Sequence, residues 1–161
     1  MPHSMTQPTK FTALFSRASD EWSTPPDLWR TLHEEFGFTL DAAATQENTT
    51  CVRFFDRQVD ALTVSWEHAV VWLNPPYSKC RPFLAKAKQE AQAGATVVCL
   101  VPSRTDTRWW HESVWDTVRQ IPHPGVEVRF LKGRVKFKGP TMGGSAPFPS
   151  AVVIFRFDPK G

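Results

Sequence analysis

The sequence predicts an α/β fold: a reduced, three-layer, Rossmann-like domain whose mostly parallel sheet ends in an antiparallel terminal hairpin. Apolar runs typical of buried strands alternate with amphipathic segments typical of helices, which favours a parallel sheet with helices on its faces. The last two strand-like segments are not separated by a helix, which indicates the antiparallel end. A chain of 161 residues, 41% of them hydrophobic, is long enough for one compact core.

The first half of the chain contains one predicted helix and three predicted strands. The segment STPPDLWRTLHEEFG predicts a helix with Thr24 as its N-cap and Gly37 at its end. Short strands are predicted for FGFTLD, which ends at Asp41, and for CVRFF, which precedes Asp56. The unbroken apolar run AVVWL, just before Asn74, is typical of a strand buried on both faces. The apolar stripe of the helix comprises Leu28, Trp29, Leu32 and Phe36.

The second half contains two predicted helices and three predicted strands. The segment RPFLAKAKQEAQAG predicts a helix with Pro82 near its start and Gly94 at its end. The run ATVVCLV predicts a second buried strand, which Pro102 stops. A further helix is predicted for TDTRWWHESVWDTVRQ, and VEVRFL and SAVVIFRF predict the last two strands. The inward side chains of that helix are expected to be Trp109 or Trp110, Val114 and Val118.

Three of the predicted strands end next to residues suited to a binding site. These residues are Asp41, Asn74 and Pro102. Because parallel strands share a direction, their carboxyl ends meet at one edge of the sheet, here called the carboxyl edge. Ligands of open α/β sheets bind just beyond that edge. We therefore expect the three residues to converge on the carboxyl edge.

The composition limits the class of protein. The formal charge of +3 and the pI of about 8.9 are compatible with an anionic partner. Cys51, Cys80 and Cys99 contain no CxxC pair, which argues against a disulfide framework and for a reducing compartment. No apolar run reaches the ~18 residues that a membrane span needs. The histidines lack paired ligand spacing, so no metal is expected.

The most informative motif is Asn74-Pro75-Pro76-Tyr77, directly after the predicted strand AVVWL. Two prolines are also a good stop signal for a strand, so a purely structural role is one reading. However, prolines hold φ at about −65° and have no N–H, which makes a rigid turn rich in carbonyl acceptors. Together with the Asn74 amide, these acceptors suit a substrate amino group, and Tyr77 offers a face for an aromatic ring.

Basic residues recur at every second position near the end of the chain. They are Lys132, Arg134, Lys136 and Lys138, alternating with Leu131, Val135 and Phe137. On one strand this spacing puts the cations on one face. Such a face is either a lysine-protected edge strand or a phosphate-binding stripe, and both readings stay open. Lys79, Arg104 and Arg108 lie near the carboxyl edge and are further candidates for phosphate contacts.

The motifs in their order resemble the phage-type DNA N-6-adenine-methyltransferase family. The segments that carry the resemblance are EWSTPPDLWRTLHEEFGFTLDAAAT, LNPPYS, VVCLVPSRTDTRWW, FLKGRVKF and APFPSAVVIFRF, which together run from Trp22 to Phe157. The resemblance implies a methyltransferase sheet that uses S-adenosylmethionine to methylate N6 of an adenine flipped out of double-stranded DNA. It also implies a cytoplasmic protein of a bacterial or phage-infected cell.

The resemblance also implies roles for individual residues. The catalytic motif is matched by Asn74, Pro75, Pro76 and Tyr77. Phe148, in Pro147-Phe148-Pro149, matches the aromatic residue that stacks on the flipped base. The cofactor site is matched by Thr24 and Pro25 at the methionine carboxylate, Asp41 at the methionine end, Phe55 and Asp56 at ribose and adenine, and Asp60 and Leu62 near the adenine amine. Trp22 is a further candidate for the cofactor pocket.

Some features depart from the expected pattern. The segment LDAAATQEN has alanines in place of a glycine loop, and twelve residues separate Asp41 from Phe54, so the first crossover helix is expected to be short or missing. Residues 1–20 are expected to form a disordered or extended lead, and residues 21–158 a single catalytic domain without a separate target-recognition domain. The alternatives are an amino-methyltransferase for RNA bases or protein glutamine, and a non-enzymatic DNA-binding accessory protein.

Overall fold

A computed structural model of the chain describes residues 24–43, 53–55, 60–137 and 144–160. The helices in these ranges are α1 (Pro26–Phe36), α2 (Cys80–Gln92) and α3 (Arg108–Ser113), and a 3₁₀ turn spans Tyr77–Lys79. The strands are β1 (Leu40–Asp41), β2 (Val70–Leu73), β3 (Thr96–Pro102), β4 (Trp115–Asp116), β5 (Ile121–Pro122), β6 (Val126–Phe130), β7 (Lys136–Phe137), β8 (Gly144–Ser145) and β9 (Ser150–Phe155). None of these helices is long and apolar enough to cross a membrane.

The central sheet of the described residues has the strand order β1-β2-β3-β9-β6. β1, β2 and β3 pair in parallel, whereas β9 is antiparallel to both of its neighbours, β3 and β6. Four strands therefore point the same way, and β9 alone among the five is reversed. This arrangement confirms a mostly parallel sheet with an antiparallel end. β4 with β5 and β7 with β8 form two small separate hairpins.

Alternate side chains of the central strands enter two apolar cores, one on each face of the sheet. Val97 and Cys99 point to the face covered by α2 and α3, where Leu84 and Trp110 are buried. Their neighbour Val98 points to the opposite face, which α1 covers. This alternation, which follows from the period of two in a strand, produces the three layers that the sequence predicts.

Helix α1 is held by its apolar stripe and by a glycine at its end. Leu32 is buried in the core under α1, and the other three stripe residues pack around it. Gly37 adopts φ 68°, a conformation that favours glycine, and its N–H donates to the carbonyl of His33, as predicted. The predicted N-cap is wrong, because Pro25 occupies that position and makes no side-chain capping bond. The hydroxyl of Thr24 instead accepts a hydrogen bond from Asn74.

The third helix is much shorter than predicted. α3 ends at Ser113, and the following residues form the β4–β5 hairpin. Trp110 and Val114 are buried as predicted, but Val118 is 93% exposed. The physical reason is the side chain of Asp116, which accepts the N–H groups of Val118 and Arg119, each at 3.0 Å. These bonds favour a turn over a continuing helix.

The basic repeat after β6 does not lie on one continuous strand. Gly133 adopts φ 75°, which bends the chain between Lys132 and Arg134. Strand geometry returns only with β7, which pairs with β8. Val135 is buried and its carbonyl accepts the N–H of Ala146 at 2.8 Å. Of the predicted strand CVRFF, residues 53–55 are described, and Phe54 forms a parallel bridge with Asp41.

Candidate active site

The carboxyl edge brings together the strand ends that the sequence singles out. Asp41 of β1 lies opposite Trp72 of β2, and Leu73 lies opposite Cys99 of β3. Because these pairings are parallel, Asp41, Asn74 and Pro102 all lie at the same edge of the sheet. The predicted convergence of the three strand ends is confirmed.

The turn after β2 is rigid, and the side-chain amide of Asn74 in this turn is hydrogen-bonded to the distant residue Thr24. Pro76 has φ −54° and ψ 130°, and its carbonyl accepts the N–H of Lys79 at 2.8 Å, which closes the 3₁₀ turn. One of the carbonyl acceptors that the sequence predicts for this turn, that of Pro76, is therefore already used within the turn. The Asn74 side chain is half-buried, and its Nδ2 donates to Oγ1 of Thr24 at 3.2 Å. This bond ties the turn after β2 to Thr24, two positions before α1 begins.

Two aromatic rings meet beside this turn. Tyr77 and Phe148 lie edge to face, with centroids 4.9 Å apart and planes at 90°. The guanidinium of Arg104 lies 5.8 Å from the centroid of the Phe148 ring. Burial raises the pKa of the Tyr77 phenol well above its ordinary value, so the ring stays neutral at physiological pH. The structure thus brings the predicted base-stacking residue next to the predicted catalytic motif.

The loop that carries Phe148 is anchored to the end of β3. The N–H of Ser103 donates to the carbonyl of Pro149 at 2.8 Å, and Pro102 pairs with Ser150 in the β3–β9 ladder. Pro149 itself cannot donate a backbone hydrogen bond, so the bond from Ser103 uses the acceptor that remains. The position of the Phe148 ring therefore depends on β9 running antiparallel beside β3.

Asp41 is a buried acid at the carboxyl edge. Asp41 is only 4% exposed, and its Oδ1 accepts a hydrogen bond from the N–H of Ala43 at 3.3 Å. The carbonyl of Asp41 accepts the N–H of Phe55 at 2.8 Å, which places Phe55 directly beside it. Two of the residues predicted for the cofactor site are therefore neighbours, although they are fourteen positions apart in the chain.

The segment Asp60–Leu62 forms a turn anchored by a buried tryptophan. The carboxylate of Asp60 accepts the N–H of Leu62 at 3.0 Å. The indole N–H of the fully buried Trp66 donates to the carbonyl of Ala61 at 2.9 Å. The Leu62 side chain is half-buried and packs against the same core as Ala43, Phe55 and Tyr77. The Asp60 carboxylate is exposed and bonded within its own turn.

The predicted phosphate contacts form a set of exposed cations. In the described ranges they are Lys79, Arg104, Arg108, Lys132, Arg134 and Lys136. None of them makes an ion pair with an acid of those ranges, whereas Arg81 pairs with Glu112 and Arg129 with Glu35. Three predicted site residues, Trp22, Asp56 and Lys138, lie outside the described residues.

Sequence reasoning does not single out two buried hydroxyls at this edge. Oγ of Ser103 and Oγ of Ser150 are buried, and neither has a hydrogen-bond partner in the described structure. Buried polar atoms are ordinarily paired, so these two atoms are candidates for contacts with a ligand. The signal that points to Ser103 is its position directly after a proline that ends a strand. No group of three His, Cys, Asp or Glu side chains within the described ranges could hold a metal ion.

The sheet and its site together define the class of protein. A three-layer, mostly parallel sheet with one reversed strand carries an Asn-Pro-Pro-Tyr turn at the carboxyl end of a central strand, beside a buried acid and two aromatic rings. This is a Rossmann-like domain of the methyltransferase type. The chain belongs to the family described as DNA N-6-adenine-methyltransferase (Dam), which its residues 12–156 match.

Two curated relatives are phage proteins with the same description, DNA N-6-adenine-methyltransferase. The protein of Escherichia phage T1 is 35% identical over 96 residues, which cover 58% of this chain and 40% of the relative. The protein of Haemophilus phage HP1 (strain HP1c1) is 33% identical over 113 residues, which cover 64% of this chain and 65% of the relative. The chain thus spans less than two thirds of either relative.

Among solved structures, a methyltransferase from Pyrococcus furiosus is a distant neighbour. The superposition covers 91% of this chain and 81% of that chain, with 12% sequence identity and a TM-score of 0.43. The family assignment rests on the sequence matches and not on this likeness.

Proposed function

We propose that this chain transfers a methyl group from S-adenosylmethionine to N6 of an adenine in DNA. The observation that carries the proposal is the meeting of Asn74, Tyr77 and Phe148 at the carboxyl edge, in a member of the DNA N-6-adenine-methyltransferase family. An amide acceptor beside two aromatic rings suits an exocyclic amine on a planar base. N6 of adenine is such an amine.

The Asn-Pro-Pro turn is suited to hold the amino group. Asn74 Oδ1 and the carbonyl of Pro75 accept the two N6 hydrogens, which draws electron density toward the nitrogen. The bond from Nδ2 to Thr24 holds the carboxamide in place, so the acceptor is oriented before substrate binds. Preorganised dipoles of this kind account for a large part of catalysis in many enzymes.

The adenine has to leave the base stack, since its N6 is out of reach of the turn inside a duplex. The rings of Tyr77 and Phe148 receive it. Because the planes of the two rings are perpendicular, a base stacked on one ring points its own edge at the other ring. Stacking on an aromatic side chain contributes about 1–3 kcal/mol per base.

The residues at the ends of β1 and β2 fit S-adenosylmethionine. The cofactor, when bound, supplies an electrophilic methyl group on a positively charged sulfur. The buried carboxylate of Asp41 lies at the same edge of the sheet as Asn74 and offers the opposite charge there. Phe55 and Leu62 supply apolar surface for the cofactor's adenosine, while Thr24 and Pro25 lie before the amino end of α1, which favours a carboxylate.

The turn contains no base at neutral pH. Asn74 is an amide, and burial raises the pKa of Tyr77 so that its phenol keeps its proton. The proton that N6 releases on methylation therefore leaves to solvent. Asn74 and the Pro75 carbonyl act by orientation and polarisation, which is the contribution expected for a direct displacement.

The test is a methyl-transfer assay with isotopically labelled cofactor and three substrates: duplex DNA, RNA and protein. We expect label in DNA, recovered as N6-methyladenine by mass spectrometry. Asn74→Ala removes one oriented acceptor and should lower kcat by roughly 10²–10³, the loss found for a single active-site dipole. Gln92→Ala, an exposed amide at the end of α2, serves as the matched control. Label in RNA or protein but not in DNA would overturn the proposed substrate.

A further inference from the structure

The β4–β5 hairpin presents an apolar side chain to solvent at its tip. Val118 is 93% exposed, Ile121 on β5 of the same hairpin is 42% exposed, and Phe130 at the end of β6 is 64% exposed. Single exposed apolar residues are ordinary on protein surfaces. Val118 and Ile121 belong to one hairpin, and Phe130 lines a cleft together with Gln120 of that hairpin, so exposed apolar side chains are concentrated there.

The tip of the hairpin is rigid. Oδ1 of Asp116 accepts the N–H groups of Val118 and Arg119, and Nε2 of Gln120 donates to the carbonyl of Thr117 at 2.6 Å. The bonds from Arg119 and Val118 hold the pKa of the Asp116 carboxyl below its ordinary value, so the acceptor stays charged. The turn therefore presents Val118 in one orientation, although no core contact requires a valine there.

The tip lies at the carboxyl edge, on the same side of the sheet as the methyl-transfer site. The imidazole of His111 joins the two: its Nε2 lies 2.6 Å from the carbonyl of Thr105, and its Nδ1 lies 2.6 Å from Oγ1 of Thr117. Thr105 directly follows Arg104, whose guanidinium packs on the Phe148 ring. Thr105, His111 and Gln120 also line one cleft of about 280 Å³. A short chain of contacts therefore links Tyr77 and Phe148 to the hairpin tip.

The charges around the tip match a phosphate backbone. Arg119 follows Val118 directly, and Arg108 begins the helix that supports the hairpin. Neither makes an ion pair with an acid in the described part of the chain. Asp116, the acid nearest to Arg119 in the sequence, accepts hydrogen bonds within the turn, and the exposed Asp106 lies two positions before Arg108. An apolar tip with an exposed arginine next to it is complementary to a base stack bordered by phosphates.

We propose that Val118 is a wedge that enters the base stack of duplex DNA next to the extruded adenine, with Arg119 on an adjacent phosphate. The inference rests on the proposed function, because an enzyme that extrudes a base has to open the stack. Proteins that distort DNA often insert apolar side chains between base steps for this purpose. The wedge lowers the cost of extrusion and takes no part in the chemistry at N6.

The test compares Val118→Ser with Phe157→Ser on two duplexes. Phe157 is also exposed, at 58%, but it follows the end of β9 and lies at the opposite edge of the sheet. One duplex pairs the target adenine with thymine, and the other places it opposite an abasic site, where extrusion costs less. We expect Val118→Ser to lower kcat/KM by about tenfold or more on the paired duplex and by less than about threefold on the abasic one. Phe157→Ser should match the wild type on both.

Each outcome separates the two proposals. If the wild type methylates neither duplex, the proposed function fails and the wedge fails with it. If the wild type methylates both and Val118→Ser loses nothing, or loses equally on both, the wedge alone is overturned. Thermal unfolding of both variants checks that the exposed substitutions leave the fold unchanged.

Discussion

The Nδ2 atom of Asn74 donates to the hydroxyl of Thr24 at 3.2 Å, across fifty positions of the chain. The bond joins the turn after β2 to a residue two positions before α1. It gives Thr24 a role that no local pattern predicts, because its expected partner was the amino end of its own helix. In the proposed function, Asn74 holds the substrate amino group and Thr24 lies near the cofactor's carboxylate.

Replacing Thr24 by valine tests whether this bond orients the Asn74 amide. Valine keeps the shape of threonine but removes the hydroxyl, so the amide loses this hydrogen bond. A typical hydrogen bond contributes about 0.5–1.5 kcal/mol, and we expect kcat to fall by about two- to tenfold. Thr31→Val is the control, since its hydroxyl bonds only to the carbonyl of Asp27 on the exposed side of α1. Steady-state kinetics at saturating DNA would count against an orienting role if Thr24→Val and Thr31→Val had the same kcat.

Asp41→Asn tests the assignment of the buried acid to the cofactor. Asparagine keeps an oxygen to accept the N–H of Ala43 but has no negative charge. Wild-type protein should gain about 2.7 kcal/mol of stability when S-adenosylmethionine is present at a hundred times its Kd. We expect a markedly smaller increase in Tm for Asp41→Asn at the same cofactor concentration. An undiminished increase, with the exposed Asp27→Asn as reference, would show that the charge of Asp41 does not contribute to binding.

The exposed cations after β6 predict a salt-dependent affinity for DNA. Lys132 and Lys136 are both exposed and lie on either side of the bend at Gly133. If each contacts a phosphate, replacing both by alanine should flatten the slope of log K against log[salt] by about two units, at about 0.9 per contact. Binding titrations at several salt concentrations measure this slope. Lys160→Ala, an exposed lysine beyond the opposite end of β9, should leave it unchanged; a double variant with the wild-type slope would make the cations ordinary surface residues.

A charged network between α1, β6 and β9 predicts acid sensitivity of the fold. Arg156 and Arg129 both donate to Glu127, and these bonds hold the pKa of its carboxyl below the ordinary value of 4.5. A lowered pKa stabilises the folded state above the unfolded-state pKa, and this stabilisation is lost as the pH falls through the folded-state pKa. We expect Glu127→Gln to lower Tm at about pH 7, and the difference from wild type to shrink toward about pH 3. The exposed Glu34→Gln serves as the control at the same pH values, and a difference for Glu127→Gln that stays constant with pH would refute the linkage.

The sequence by itself determined those features whose causes are local. The glycine at the end of α1 is predicted because few residues adopt its positive φ, and the buried strands β2 and β3 are predicted by their unbroken apolar runs. The Asn-Pro-Pro-Tyr turn is equally local, since two prolines impose its backbone whatever the surroundings. The meeting of Asp41 and Asn74 at one edge follows from these strands once the sheet is taken as parallel.

Only the tertiary structure decided features that depend on pairings between distant segments. The helix predicted through Val118 gives way to a hairpin, because the Asp116 side chain holds the backbone in a turn and periodicity does not report such competition. The contact between Tyr77 and Phe148 needs β9 to run antiparallel beside β3, and the bond between Thr24 and Asn74 needs α1 to cover one face of the sheet. Periodicity encodes which face a side chain presents, whereas the partner on that face is selected by packing of the whole sheet.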